Sequence, residues 1–162
     1  MSNQFPKEYF DEIDRDFDKN GSYFSEVLDM FVSDYISVKS IGLDVGCGTG
    51  VHMKRLLADP LIELFGTDTT DAYQYKLENV GYSGFKVMAD EPMASIPNDD
   101  EGFDFVVCKD VLEHVLLPEH SLREIKRVLN PGGYALLHVP NHFSFYGRLK
   151  FLFSNRIDTF NY

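Results

Sequence analysis

Basic residues are scarce in this chain: 15 Lys and Arg stand against 26 Asp and Glu, a formal net charge of −11. That balance argues against a broad basic footprint for nucleic acid or an anionic membrane, and leaves room only for a small local basic site. Long apolar runs are lacking too, none approaching the ~20 residues needed to cross a bilayer. The acidic stretch from Met1 to Asp18 does not have the basic-then-apolar build of a secretory signal. Cysteine is limited to Cys47 and Cys108, in separate segments, which points to reduced packing thiols and a cytoplasmic setting. The histidines show no metal-ligand spacing, and with neither a Cys/His cluster nor an H-E-x-x-H string no metal is expected. The string G-x-x-x-x-G-K-[ST] is also missing, which excludes a phosphate-cradling P-loop.

What is present suits one folded domain. At 162 residues, 44% hydrophobic and 14% aromatic, the chain can bury a core of its own. Its organising stretch is Ser40-Ile41-Gly42-Leu43-Asp44-Val45-Gly46-Cys47-Gly48-Thr49-Gly50. Ile41 to Val45 reads as a short buried strand entering a turn with glycines at alternate positions. Val51, Met53, Leu56 and Leu57 then fall at helical spacing, and a helix is predicted as far as Ala58, where Asp59-Pro60 ends it. Glycine is required where the backbone takes a positive φ or must lie against a ligand with no Cβ between. A strand, a glycine turn and a helix start place a binding crevice at the carboxyl end of the strand. A plain strand-to-helix turn is the alternative, but it rarely needs three glycines in five residues.

Spacing bears on the ligand. The dinucleotide fingerprint is G-x-G-x-x-G, whereas here Gly50 comes one residue early and Val51 holds the required position. An acidic Asp44 just before the glycines would also oppose a pyrophosphate. The run Leu43 to Gly50 instead closely resembles the first motif of class I S-adenosylmethionine-dependent methyltransferases of the type 11/12/23-like group. Their cofactor carries a sulfonium, an amino acid and an adenosine, but no phosphate. A second block agrees. Phe103 to Cys108 reads as a buried strand leading to Lys109-Asp110-Val111-Leu112-Glu113-His114-Val115, which resembles the loop after the fourth strand of many small-molecule methyltransferases. Leu122 to Gly133, closing a helix that begins at Pro118, is again similar to that family. Pro140-Asn141-His142-Phe143 and the aromatic, basic segment behind it resemble methyltransferase-like proteins linked to methionine biosynthesis. Relatives from surface-polysaccharide gene sets share the pattern, so the subfamily stays open.

The resemblance, which covers residues 41–140, implies an α/β fold. This is a doubly wound, Rossmann-like sheet of parallel strands in the order 3-2-1-4-5, with N-terminal helices. The remaining strands are expected at Ile62 to Gly66, Phe85 to Met88 and Tyr134 to Val139, with a helix over Thr70 to Val80. Residues 1–39 would form a helical cover, 40–140 the cofactor-binding core, and 141–162 the start of a substrate-side segment. Within the cover, Phe24, Val27, Leu28, Phe31, Val32, Tyr35 and Ile36 make a helical stripe whose ordinary role is core packing. In the family such leading helices cover the cofactor mouth, which brings Tyr9, Phe10 and Tyr23 into question as ligand contacts. The family's usual last two strands are missing, since Phe160-Asn161-Tyr162 stops before either. A truncated chain with an unpaired edge beside the fifth strand is therefore expected.

The same resemblance assigns S-adenosylmethionine as cofactor, S-adenosylhomocysteine as product, and a set of binding residues. Asp44 takes the amino group of the methionine moiety, directly or through water, while Gly46, Cys47, Gly48 and Gly50 give close backbone approach. Asp68, with Thr69 beside it, takes the ribose hydroxyls; a helix N-cap is its alternative role. Asp90, with Glu91 beside it, faces the adenine amine. A solvated turn carboxylate is an equal reading, because residues 90–104 hold six carboxylates and no Lys or Arg. Lys109 stands near the cofactor carboxylate, and Asp110 beside it is a further cofactor-binding residue. A neutral oxygen or nitrogen acceptor needs a base, for which His114 and His142 are the candidates. His114 is equally read as a helix-start histidine bonded to backbone. The expected acceptor is a small molecule or sugar, with no nucleic acid and no membrane. The alternative is a weakly catalytic or non-catalytic cofactor-binding subunit that regulates a partner enzyme; a homo-oligomer is also open. A nicotinamide oxidoreductase comes third, and Gly50 and Asp44 argue against it.

Overall fold

A computed structural model describes residues 22–36, 39–68, 83–86 and 102–141. Five strands, β1 (Ser40–Val45), β2 (Ile62–Asp68), β3 (Ser83–Lys86), β4 (Phe103–Lys109) and β5 (Leu129–His138), form one sheet. Their order is β3-β2-β1-β4-β5 and every pair is parallel, as the resemblance implied. A parallel sheet must be covered on both faces, and the apolar runs of β1 and β4 are accordingly buried almost throughout.

Each cover is a helix with one apolar face. In α1 (Ser22–Tyr35), Phe24, Leu28 and Phe31 recur at steps of four and three, so all fall on one side and are buried. They pack with Met53, Leu56, Leu64, Phe105 and Val107. In α2 (Pro118–Val128), Ser121, Ile125 and Val128 follow the same spacing and bury against the other face, with Leu43, Val45, Val106 and Cys108. Each large apolar side chain so buried stabilises the fold by about 1.5–3 kcal/mol. Proline opens α2, Glu119 lies in its first turn, and Lys126 and Arg127 lie in its last, which suits the helix dipole at both ends. Gly42 lets the two central strands pack closely, for a Cβ there would lie 2.2 Å from Phe105 Cζ.

Three elements differ from expectation. The segment after the glycine loop is no α-helix. Gly50, Met53, Leu56 and Asp59 each donate to the carbonyl three residues back, and Lys54–Ala58 is a 3-10 helix. Proline at position 60 holds Asp59 extended at φ −89° and ψ 114°, and the connection ends on the tighter 3-10 turn. β5 begins at Leu129, earlier than Tyr134, and takes in Asn130-Pro131-Gly132-Gly133 as an irregularity facing Asp104. That carboxylate binds both neighbours: Ile41 N–H donates to Oδ2 at 2.8 Å and Asn130 Nδ2 to Oδ1 at 3.0 Å. β3 lies at Ser83–Lys86, two residues before the expected strand. The expected helix over Thr70 to Val80 and the segment before Ser22 fall outside the described residues. No described helix is long and apolar enough to cross a membrane.

Candidate active site

Parallel pairing lines up Thr67, Val45, Cys108 and Leu137 across β2, β1, β4 and β5. The next residues along those strands are Asp68, Gly46, Lys109 and His138, so groups scattered over the sequence meet on one rim. Open parallel sheets bind ligands at this carboxyl edge.

The glycine loop begins there. Gly46, Gly48 and Gly50 have φ of +69°, +52° and +71°. A Cβ on Gly46 would lie 2.3 Å from Val111 Cγ2, so this glycine admits the loop that follows β4. Among the described residues a Cβ on Gly48 would meet nothing within 4 Å, so the bare backbone there is open to them. Asp68 turns toward it, and its Oδ2 accepts the Gly48 N–H at 3.0 Å. Cys47 N–H, donating to the Thr67 carbonyl at 2.9 Å, fastens the loop to β2. Open backbone flanked by the carboxylates of Asp44 and Asp68 fits a nucleoside that carries an amine and no phosphate.

Asp44 is fully buried and pairs through Oδ1 with His52 Nε2 at 3.1 Å. The His52 ring packs edge-on to Phe24 of α1, with centroids 5.8 Å apart, and the same phenyl ring meets His138 at 5.5 Å. Lys109 Nζ stands 5.4 Å from its centroid. One aromatic side chain of the leading helix thus touches groups from the glycine loop, β4 and β5. Tyr9, Phe10 and the side chain of Tyr23 lie outside the described residues.

Beyond β4 the chain turns sharply at Asp110, which has φ +54° and donates its N–H to the His138 carbonyl at 3.1 Å. Its carboxylate pairs with Lys109 Nζ on one side and with His138 Nδ1, at 2.7 Å, on the other. Partial burial disfavours charge on Asp110, but the hydrogen bond and charge of Lys109, then those of His138, outweigh it and hold the carboxyl below the usual carboxylate range. Burial first, and then nearby carboxylates, push the Cys108 thiol up to about 12 and the Cys47 thiol further still. Both are packing thiols, as the sequence suggested.

His114 is exposed in the turn after β4, where its backbone N–H donates to the Val111 carbonyl at 2.9 Å. Thr69, Asp90, Glu91 and His142 lie outside the described residues. Among the described residues no cluster of His, Cys, Asp or Glu could hold a metal ion. Sequence reasoning passed over His52 and His138. His138 stood near the carboxyl end of a predicted strand, which was the available signal; His52 carried none, because its partner is fixed only by the turn.

The family described as Methyltransferase domain matches residues 43–137. Over 99 residues the chain is 32% identical to the tRNA U34 carboxymethyltransferase of Saccharophagus degradans, a match covering 59% of this chain and 30% of that protein. The chain therefore spans only about a third of that relative's length. Among solved structures, an S-adenosylmethionine-dependent methyltransferase from Thermotoga maritima superposes with a TM-score of 0.67 at 24% identity, covering 93% of this chain and 67% of the other. A chain from the complex between the Haloferax volcanii Trm112 methyltransferase activator and a methyltransferase gives 0.62 at 21% identity, covering 82% and 60%. Because the family match runs from Leu43 in β1 to Leu137 in β5, through the glycine loop and most of the rim strands, the chain belongs to the methyltransferase-domain family of class I S-adenosylmethionine-dependent methyltransferases.

Proposed function

We propose that this chain forms the cofactor-binding part of an enzyme that moves a methyl group from S-adenosylmethionine to a small molecule or sugar. The observation that carries the reading is Asp68, whose carboxylate reaches across from β2 to the open backbone at Gly48. When bound, the cofactor supplies an activated methyl carbon, so the protein's own task is to bind, orient and exclude water. Asp68 would hold the ribose hydroxyls, and Gly46, Cys47, Gly48 and Gly50 would bring backbone against the ligand. Asp44 would serve the amine through His52, its buried partner. Lys109 and Asp110 would flank the carboxylate end, with Thr69, Asp90 and Glu91 completing the adenosine side. Residues 1–39 would cover this site, 40–140 would build it, and 141–162 would begin the acceptor side.

Calorimetric titration with S-adenosylhomocysteine tests the reading. One-to-one binding is expected, weakened about 10–100-fold in Asp68→Asn, the effect of losing hydrogen bonds to a charged group worth about 1.5–3 kcal/mol. No binding, by this chain or by a longer form, would refute it. The acceptor class rests on the net charge of −11, which disfavours a nucleic-acid footprint on this chain. A tRNA nucleoside is the second reading, favoured by the likeness to the Saccharophagus degradans protein, whose name assigns it tRNA U34. Radiolabelled methyl transfer into a sugar and metabolite pool, against transfer into total tRNA, separates the two. Cofactor binding with transfer to neither selects a regulatory cofactor-binding subunit.

A further inference from the structure

We infer that His138, oriented by Asp110, is the general base of methyl transfer, and that the acceptor is accordingly a neutral hydroxyl or amine. The inference rests on the methyltransferase reading and names the kind of group that site methylates.

Geometry sets the roles of the pair. An ionised carboxylate only accepts hydrogen bonds, so at 2.7 Å from Asp110 Oδ1 the Nδ1 of His138 must be the donor. In the neutral ring the lone pair then lies on Nε2, the far nitrogen. Asp110 keeps this orientation at a local cost. Its φ of +54° is a left-handed backbone that costs a side-chain-bearing residue about 1–2 kcal/mol. Its own N–H meets the His138 carbonyl at 3.1 Å, so backbone and side chain both lock the end of β4 to the end of β5. Strain of this kind gathers at functional sites.

Exposure and placement separate this pair from the other. His52 makes a similar bond to Asp44, but its side chain is only 8% exposed, which suits a buried support. The His138 side chain is 34% exposed and stands on the rim, paired in register with Lys109. Among the described residues the charged groups facing it are Lys109 at the end of β4 and Asp110 just beyond it, while His52, paired with Asp44 of β1, lies across the Phe24 ring.

The step balances. As the acceptor oxygen or nitrogen bonds to the methyl carbon, the carbon–sulfur bond breaks and its electron pair stays on sulfur, leaving a neutral thioether. The acceptor's proton passes to His138 Nε2, Asp110 balances the resulting imidazolium, and water later takes the proton. A carboxylate acceptor has no proton to lose and would leave the pair idle.

Nitrogen NMR of the full chain with labelled histidine tests the inference, run beside calorimetry with S-adenosylhomocysteine. The expected result is His138 in the Nδ1–H form, a move toward Nε2–H in Asp110→Ala, and a shift of the Nε2 signal on saturation with S-adenosylhomocysteine. A merely structural pair would not answer the ligand. With labelled S-adenosylmethionine and the acceptor pools above, His138→Gln should lose 100-fold or more in transfer rate, the contribution typical of a general base. Its affinity for S-adenosylhomocysteine should stay within about twofold. Four results would overturn the inference alone: S-adenosylhomocysteine binding with His138 in the Nε2–H form, a Nε2 signal indifferent to the ligand, a methyl ester as product, or undiminished transfer by His138→Gln. Absence of S-adenosylhomocysteine binding would remove the methyltransferase reading and this inference with it.

Discussion

Replacing Gly48 by alanine separates a glycine kept for folding from one kept for a ligand. With φ at +52°, a Cβ costs the backbone about 1–2 kcal/mol. No described residue lies within 4 Å of the added methyl, so none of them adds a packing penalty to that cost. The N–H remains, and Asp68 Oδ2 can keep its 3.0 Å bond. For a chain of this size each kcal/mol lowers the melting temperature by about 2–4 °C, so Gly48→Ala should melt about 2–8 °C lower. Gly46→Ala provides the contrast. Its Cβ would lie 2.3 Å from Val111 Cγ2, adding about 1–3 kcal/mol of overpacking to the same backbone cost. Cofactor affinity should reverse the emphasis: the Gly48 methyl fills the space proposed for the ligand, and S-adenosylhomocysteine binding should weaken at least about tenfold, or 1.4 kcal/mol. Thermal melts and calorimetric titration of both variants read the two effects. If Gly48→Ala binds S-adenosylhomocysteine within twofold of the unsubstituted chain, the open backbone is not the ligand's and the reasoning fails.

Other expectations test the frame around the site. Asp104→Ala should orphan Ile41 N–H and Asn130 Nδ2 together, costing about 2–4 kcal/mol in urea unfolding; a loss under about 0.5 kcal/mol would show that β1 and β5 do not depend on this carboxylate. Asp110, whose folded carboxyl lies below its ordinary value of 3.8, contributes stability that is present above that value and is lost as pH falls through the depressed one. The stability difference between the unsubstituted chain and Asp110→Asn should therefore shrink on acidification below about pH 4, and a constant difference would contradict the pairing with Lys109 and His138. Cys108, with its thiol pushed up to about 12, should resist iodoacetamide at neutral pH until urea unfolds the chain, as should Cys47; prompt labelling of the folded protein would show that the thiols are not buried.

Much of the fold was legible because its signals are local. Ile41 to Val45 and Phe103 to Cys108 are apolar runs bounded by turn chemistry, and a short apolar run between such bounds can only be a buried strand or a piece of helix. Glycines at alternate positions after the first run decided for a strand entering a sharp turn, and the three positive φ values carry that through. The α1 stripe was legible for the same reason: Phe24, Leu28 and Phe31 repeat with the period of the helix that buries them. The segment after Gly50 misled because its apolar spacing suits an α-helix, whereas the few residues before Pro60 close by i→i+3 bonds. β5 misled because Asn130-Pro131-Gly132-Gly133 has the composition of a free turn, whereas the pairing of Leu129 and Tyr134 with β4, and the bond from Asn130 to Asp104, carry it along the sheet.

The amino-acid order alone determined which strand leads into the glycine turn, which helices have one apolar side, and that Asp44 and Asp68 stand close in sequence to strand ends. These follow from neighbours a few residues apart, whose geometry the backbone dictates. Tertiary pairing decided the rest. It set His52 beside Asp44, brought Phe24 against both His52 and His138, and joined Asp110 to a histidine 28 residues away. No periodicity encodes such partners, because parallel strands return to the same rim only after a crossover, and it is the register between β4 and β5 that puts Lys109 opposite His138.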